Sequence, residues 1–236
     1  KPVFKDWKIY KCIYAEIDHN ERKYILSGGK WFNINTQFEF STNEQFRQIA
    51  ISSLRMPEYM AKDEGDYNKK AAESQPEKFC LMDNKNKISH GGSHGQVEFC
   101  DLFSSRKEII HIKRYGQSSV FSHLFAQGFV SGRLLQIDRE FRQKVVAKLP
   151  SPFQELIDVN QRPKESEFTI VFGIISDTEG SELHLPFFSR VNLNNAAKTL
   201  RGFGYKIELL KIPVDKKYSQ TKIAPPSKKI GKNRHG

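Results

Sequence analysis

The chain has 236 residues, 38% of them hydrophobic and 28% charged, with 38 basic side chains against 27 acidic and a formal net charge of +11. That length suits one large domain or a domain with an appendage; no apolar run approaches the ~20 residues of a membrane span, and no signal peptide is visible. The charge favours polyanions, nucleic acid before an acidic membrane surface, and the three cysteines, Cys12, Cys80 and Cys100, form no C-x-x-C pair, which fits a reducing cytoplasm and argues against a zinc ribbon or disulfide framework.

The chain begins at Lys1 rather than methionine, which leaves room for a lost N-terminal region. Lys8 to Asp18 and Lys23 to Leu26 are rich in β-formers, with turns at Asp18-His19-Asn20 and Ser27-Gly28-Gly29. With Lys30 to Ile34 they predict an antiparallel meander that packs Trp31 and Phe32 in the core. Ser41-Thr42-Asn43-Glu44 carries helix-capping chemistry, and Phe46, Ile49, Ile51 and Leu54 follow at roughly helical spacing. Residues 1–55 thus read as a β-rich N-terminal region with a helix, and 56–215 as an α/β domain. Residues 216–236 read as a basic tail too polar to bury a core, expected to be disordered.

A polar helix is expected at least from Asp66 onward, where Glu64 and Asp66 either face solvent or offer a carboxylate to a metal. Phe79 to Met82 is a short strand, and Asn84 to Gly95 a loop that ends S-H-G-G-S-H-G. His90 and His94 there allow three readings: a turn, a backbone approach to phosphate, or a zinc pair with no third ligand near. Val97 to Lys113 reads as two strands joined by a polar turn. His111 and Lys113, two apart, share a face. A three-residue turn at Ser105 to Lys107 sets Asp101 opposite His111; a two-residue turn sets it opposite Ile110 and breaks the patch.

Beyond this hairpin, Ser118-Ser119 can cap a helix, and a second helical stretch runs from about Leu134 to Leu149; Gly128 and Gly132 mark a kink or close packing. Pro150 and Pro152 break it. Phe168 to Ile175 is a continuous apolar run, as in a strand covered on both faces. Leu185 to Leu200 is a helix with a glycine stop, and Tyr205 to Ile212 a last strand. From Tyr67 the expected order is α-β-β-β-α-β-α-β, a mixed sheet flanked by helices.

An acidic residue on one strand and a polar-x-Lys on the next can serve metal-assisted hydrolysis. Carboxylates hold a hard cation, the cation activates water, and a lysine stabilises the charge that builds on a phosphate. Asp101 is the best ligand by this logic and Lys113 the best electrostatic catalyst. Cys100 alternates away from Asp101 and belongs to the core. No G-x-x-x-x-G-K-[S/T] loop is present, which argues against ATP hydrolysis.

The order acidic helix, Gly-rich loop, E-F-C-D, then I-H-I-K-R-Y-G and a helix resembles the PD-(D/E)xK restriction-endonuclease-like superfamily, most nearly its Mrr-like branch. The resemblance covers roughly Glu64 to Ile175. It implies a restriction-endonuclease-like α/β fold with magnesium or manganese held by Glu64, Asp101 and His111. In the helix position Asp66 is the alternative to Glu64. Catalysis would fall to Asp101, Lys113, His111 and Glu64. Gln127 looks like that branch's helix glutamine. Histidine at 111 departs from the usual acid or glutamine and favours ions softer than magnesium.

Y-I-L-S-G-G-K-W-F, E-G-D-Y-N, C-D-L-F, I-H-I-K-R, S-H-L-F-A-Q-G and L-R-G-F-G-Y-K are also similar to the C-terminal half of a patchily distributed bacterial family of unknown function. The expectation is a cytoplasmic DNA nuclease of defence against foreign DNA, without membrane contact. Arg114, Lys144, Lys148, Gln127 and the tail lysines would contact DNA. The partner would be DNA, with a second copy or a lost N-terminal region as a further one. A decayed nuclease fold acting as a nucleic-acid-binding scaffold is the alternative, and a protein-interaction domain with incidental charge the third.

Overall fold

The computed structural model describes residues 8–83, 87–89, 95–116, 118–180, 182–216 and 218. His90, His94 and the tail lysines after Lys216 lie outside them. The fold is mixed α/β. Among the described residues no helix is long and apolar enough to cross a membrane.

A three-stranded antiparallel meander comes first: β1 (Ala15–His19), β2 (Arg22–Ser27) and β3 (Lys30–Asn33). Asn20 and Glu21 turn the first corner with φ of 48° and 58°, and Gly28 and Gly29 the second with 60° and 79°. Positive φ at both central residues matches the twist of paired strands, which is why glycine serves the second turn. The N-terminal half of the expected first strand is instead a helical turn, α1 (Ile9–Cys12). Trp31 and Phe32 are not core: they are 52% and 50% exposed, because β3 is an outer edge and the meander buries only Lys23 and Ile25, both on β2.

The helix expected after Ser41 begins earlier, as α2 (Thr36–Arg47). Asn35 caps it, its Oδ1 accepting the backbone N–H groups of Gln37 and Phe38 at 3.0 and 3.1 Å. A side chain that satisfies two orphan donors outcompetes the Ser41 cap, and Ser41 becomes the sixth residue of the helix. Ala50 and Ile51 are not helical but form β4 (Ala50–Ile51), at the edge of the central sheet.

The remaining elements are α3 (Glu64–Ser74), β5 (Phe79–Leu81), β6 (Ile88–Ser89), β7 (Gln96–Val97), β8 (Leu102–Ser104), β9 (Glu108–Arg114), α4 (Ser118–Ile137), α5 (Arg139–Lys148), α6 (Ser151–Gln154), β10 (Thr169–Ser176), α7 (Phe187–Gly202) and β11 (Lys206–Pro213). The central sheet runs β4-β11-β10-β9-β8-β5; β6 and β7 form a separate small hairpin. β4, β11, β10 and β9 are parallel, and β8 and β5 antiparallel to their neighbours.

β10 alternates between two cores. Ile170, Phe172 and Ile174 meet α4, α5 and α7 on one face; Val171 and Ile175 meet α3 on the other. A strand buried on both faces reads as an unbroken apolar run for this reason. The meander is tied on through Glu16, whose carboxylate accepts the Phe187 N–H at the start of α7 at 2.8 and 2.9 Å. A negative side chain there satisfies an orphan donor and the helix dipole together.

α4 runs unbroken through Gly128 and Gly132, and the chain bends at Asp138, whose carboxylate caps α5 through the Phe141 N–H at 3.0 Å. The two glycines serve close packing. A Cβ on Gly128 would lie 2.5 and 2.8 Å from ring carbons of Phe172, which is itself fully buried. Gly128→Ala gains helix propensity of about 1 kcal/mol, but overpacking a fixed ring costs about 1–3 kcal/mol. A lowered melting temperature is expected in thermal denaturation, against the rise that propensity alone predicts.

Candidate metal centre

The register of the central hairpin follows from its turn. Leu102 pairs with Ile110 and Phe103 with Ile109, so Ser104 stands opposite Glu108 and Asp101 opposite His111, the register of the three-residue turn. Lys107 closes that turn with φ of 62°, its N–H donating to the Ser104 carbonyl at 3.0 Å. The Ser104 hydroxyl donates to Glu108 at 2.7 Å and locks the pair.

Asp101 lies just before β8 and is 5% exposed. Its N–H donates to the Ile110 carbonyl at 2.9 Å, and its Oδ2 accepts the Ile112 N–H at 2.6 Å. The carboxylate thus extends the ladder on β9 one step beyond the last backbone hydrogen bond that Asp101 makes to it. Two further carboxylates converge on it. Asp83 follows β5 and Glu98 follows β7, and one oxygen from each of Asp83, Glu98 and Asp101 lies within 4.8 Å of the others. Burial, and then the charges of Glu98 and Asp83, push the Asp101 carboxyl up to about 8, against the opposing pull of the Ile112 N–H and Lys113.

Two carboxamides stand behind the cluster. Asn68 on α3, 1% exposed, donates from Nδ2 to Asp83 at 3.2 Å; Gln127 on α4 donates from Nε2 to Glu98 at 2.9 Å. The other amide oxygen of each, Asn68 Oδ1 and Gln127 Oε1, is buried and finds no hydrogen-bond partner among the described residues. The cluster can therefore hold a divalent metal ion. Three carboxylates form an all-oxygen donor set, which suits a hard cation such as magnesium, manganese or calcium better than zinc.

Lys113 is the neighbouring cation. Its Nζ donates to Glu64 Oε2 at 2.7 Å, while Glu64 Oε1 accepts the Arg114 N–H at 2.9 Å. Burial alone would lower the Lys113 pKa, but Glu64, Asp101 and Glu98 outweigh it and hold the group above its ordinary value. Lys113 is therefore charged at neutral pH. Glu64, the first residue of α3, clamps the end of β9 and does not join the three convergent carboxylates. Asp66 is likewise engaged elsewhere, with Lys70 at 2.9 Å and the Lys62 N–H at 3.0 Å.

His111 does not join them either. It stands opposite Asp101 in register, but its ring points into the α4 face, fully buried, with Nε2 3.1 Å from Ser131 Oγ and the ring against Phe172. Asp101 instead turns its carboxylate to the Ile112 N–H of β9. Burial, and then Lys113, push the imidazole down to about 3, so it stays neutral. Gln127 faces Glu98 rather than an open surface. Arg114 is exposed, its guanidinium 5.4 Å from the centre of the Tyr59 ring. Lys144 pairs with Glu140 at 2.6 Å and donates to the Ser89 carbonyl at 2.9 Å, which ties α5 to β6; Lys148 is exposed. Cys100 is buried, with its thiol pushed well up by burial.

Asp83 and Glu98 escape a reading centred on the hairpin. A signal was present. Glu98 and Asp101 form E-x-x-D ahead of a strand, and β5 pairs antiparallel with β8, Leu81 against Leu102, which brings Asp83 level with Cys100.

No curated protein and no solved structure matches the chain. Residues 1–213 match the family of unknown function DUF6119. That match spans all the described elements, from the meander through β11, and the chain accordingly belongs to the DUF6119 family.

Proposed function

We propose that this chain is a divalent-cation-dependent nuclease that hydrolyses phosphodiester bonds in DNA, acting against foreign DNA in the cytoplasm. The observation that carries the reading is the convergence of Asp83, Glu98 and Asp101, from the ends of β5, β7 and β8, beside a charged lysine, Lys113, on β9. The sequence α3, β5, β8, β9, α4, with the small β6–β7 pair between β5 and β8, supports the reading, since the PD-(D/E)xK resemblance rests on an acidic helix, a Gly-rich loop, an acidic strand, a lysine-bearing strand and a helix in that order. The net charge of +11 suits a polyanionic substrate.

Asp83, Glu98 and Asp101 would hold magnesium or manganese, with Asn68 and Gln127 fixing the carboxylates of Asp83 and Glu98 from behind. Such a cation, when bound, lowers the pKa of water and offsets charge on the phosphate. Lys113 supplies a preorganised positive charge to the phosphate oxygens, aimed by Glu64. Arg114 and Lys148 contribute exposed positive charge for backbone phosphates. His111 serves the core in this reading.

The test is incubation of plasmid and linear DNA with the chain in magnesium and in manganese. Cleavage that chelation stops, and that Asp101→Asn lacks, is the expected result. DNA binding that salt weakens, with no cleavage in either metal, would instead favour a binding module on the same fold.

A further inference from the structure

A second concavity lies on the same sheet. It has a volume of about 710 Å³ and is built by residues 51–55, by the loop after β10, and by the end of β11. Its floor is apolar, with Ile51, Leu54, Leu210 and Val214. Its rim carries Arg55 and Lys216, both exposed, and neither forms an ion pair among the described residues. Lys211 makes the cavity rigid: its Nζ donates to the carbonyls of Thr178 and Gly180 at 2.7 and 2.6 Å and pins the loop that forms one wall. Asp177 and Glu179 stand on that loop wall, which leaves Arg55, on the 51–55 segment, and Lys216, beyond β11, as the lining cations for an anion.

An apolar floor with a cationic rim suits a ligand that is flat and apolar at one end and anionic at the other, and the volume falls within the ~300–1,000 Å³ of small-molecule sites. Position narrows the choice. In parallel sheets ligands settle beyond the carboxyl ends of the strands. Ile174 pairs with Lys113, and Ile175 with both Arg114 and Ile212, so the ends of β10 and β11 continue the edge on which Lys113 stands. β11 lies two strand spacings from β9, about 10 Å, within the reach of one or two nucleotides.

We propose that this cavity holds one nucleotide, with its base on the apolar floor and its phosphate between Arg55 and Lys216. The inference rests on the nuclease reading in one respect: the nucleotide belongs to the strand that passes Lys113. A free nucleotide offers the same chemistry, so the test separates the two sources.

The full chain and its double variant Arg55→Glu, Lys216→Glu are compared by anisotropy with a labelled single-stranded oligonucleotide, across salt, and by competition with nucleoside 5′-monophosphates and unphosphorylated nucleosides. The variant is expected to lose about tenfold or more in oligonucleotide affinity and about 1.4 in the log–log salt slope, for two lost phosphate contacts at ~0.7 each. Monophosphates, but not nucleosides, should compete, while melting temperature and manganese binding stay unchanged. If both proteins bind and cleave the oligonucleotide alike with the same slope, the cavity assignment is overturned and the nuclease reading stands. If the parent binds monophosphates through Arg55 and Lys216 but binds no oligonucleotide, the cavity is a free-nucleotide site and the nuclease reading falls.

Discussion

Asp101→Asn is expected to flatten the pH dependence of stability of the metal-free protein between about pH 4 and pH 8. Asp101 titrates near 8 in the fold, far above the ordinary ~3.9 of an aspartate. The folded state therefore holds a proton that the unfolded chain has released. A group raised in this way contributes its stability fully below the unfolded value, and loses it as pH rises through the folded one, at about 1.4 kcal/mol per pH unit while only the unfolded chain is ionised. The parent protein should melt at a lower temperature at pH 8 than at pH 5, and the asparagine variant should show a shallower decline. Asparagine still offers an oxygen to the Ile112 N–H, so the ladder is kept. A divalent cation should restore the parent at pH 8, because it takes the place of the proton among three carboxylates. Equal slopes for both proteins in calorimetric melts across this range would count against the buried, coupled carboxyl.

Lys113→Met is expected to lower DNA cleavage by about a hundredfold or more while cation binding persists. Methionine keeps the length of the side chain and removes the charge. Loss of one preorganised electrostatic group typically costs ~10²–10³ in turnover. Glu64 loses its ion pair but keeps the Arg114 N–H and partial contact with solvent, so the end of β9 should stay in place. Turnover at saturating DNA, measured beside manganese affinity and melting temperature, separates the outcomes. Unchanged turnover would remove Lys113 from the chemistry. A loss of turnover matched by a loss of fold would leave it a structural clamp for α3.

The elements that a single periodicity defines were legible in the sequence. The apolar run at 168–175 announced β10, whereas the polar turn before Glu108 left two registers of β8 and β9 open, and the structure takes the one with the three-residue turn Ser105–Lys107. Competition between local signals hid others. Ser41 looked like a cap, yet Asn35 lies one residue before α2 and satisfies two of its donors. Trp31 and Phe32 looked like core because aromatics in strands usually pack, but nothing in a four-residue stretch says that it will be an edge.

The site divides in the same way. Asp101 and Lys113 could be read because neighbouring strands place them. His111 could be placed on a face by alternation, but alternation does not say which face is covered, and α4 covers this one with Ser131. Asp83 and Glu98 stand apart in the sequence and meet only because β5 and β8 pair across the sheet and the β6–β7 hairpin returns the chain to the same edge. Their convergence is a tertiary fact, with only E-x-x-D as its trace in the sequence.

A calorimetric titration of the metal-free chain with manganese tests the cluster most directly, run beside Asp101→Asn and His111→Leu. One saturable ion per chain is expected, lost in the Asp101 variant, unchanged in the His111 variant, and accompanied by proton release near neutral pH. Absence of saturable binding, or binding that Asp101→Asn leaves intact, would contradict a cation held by Asp83, Glu98 and Asp101.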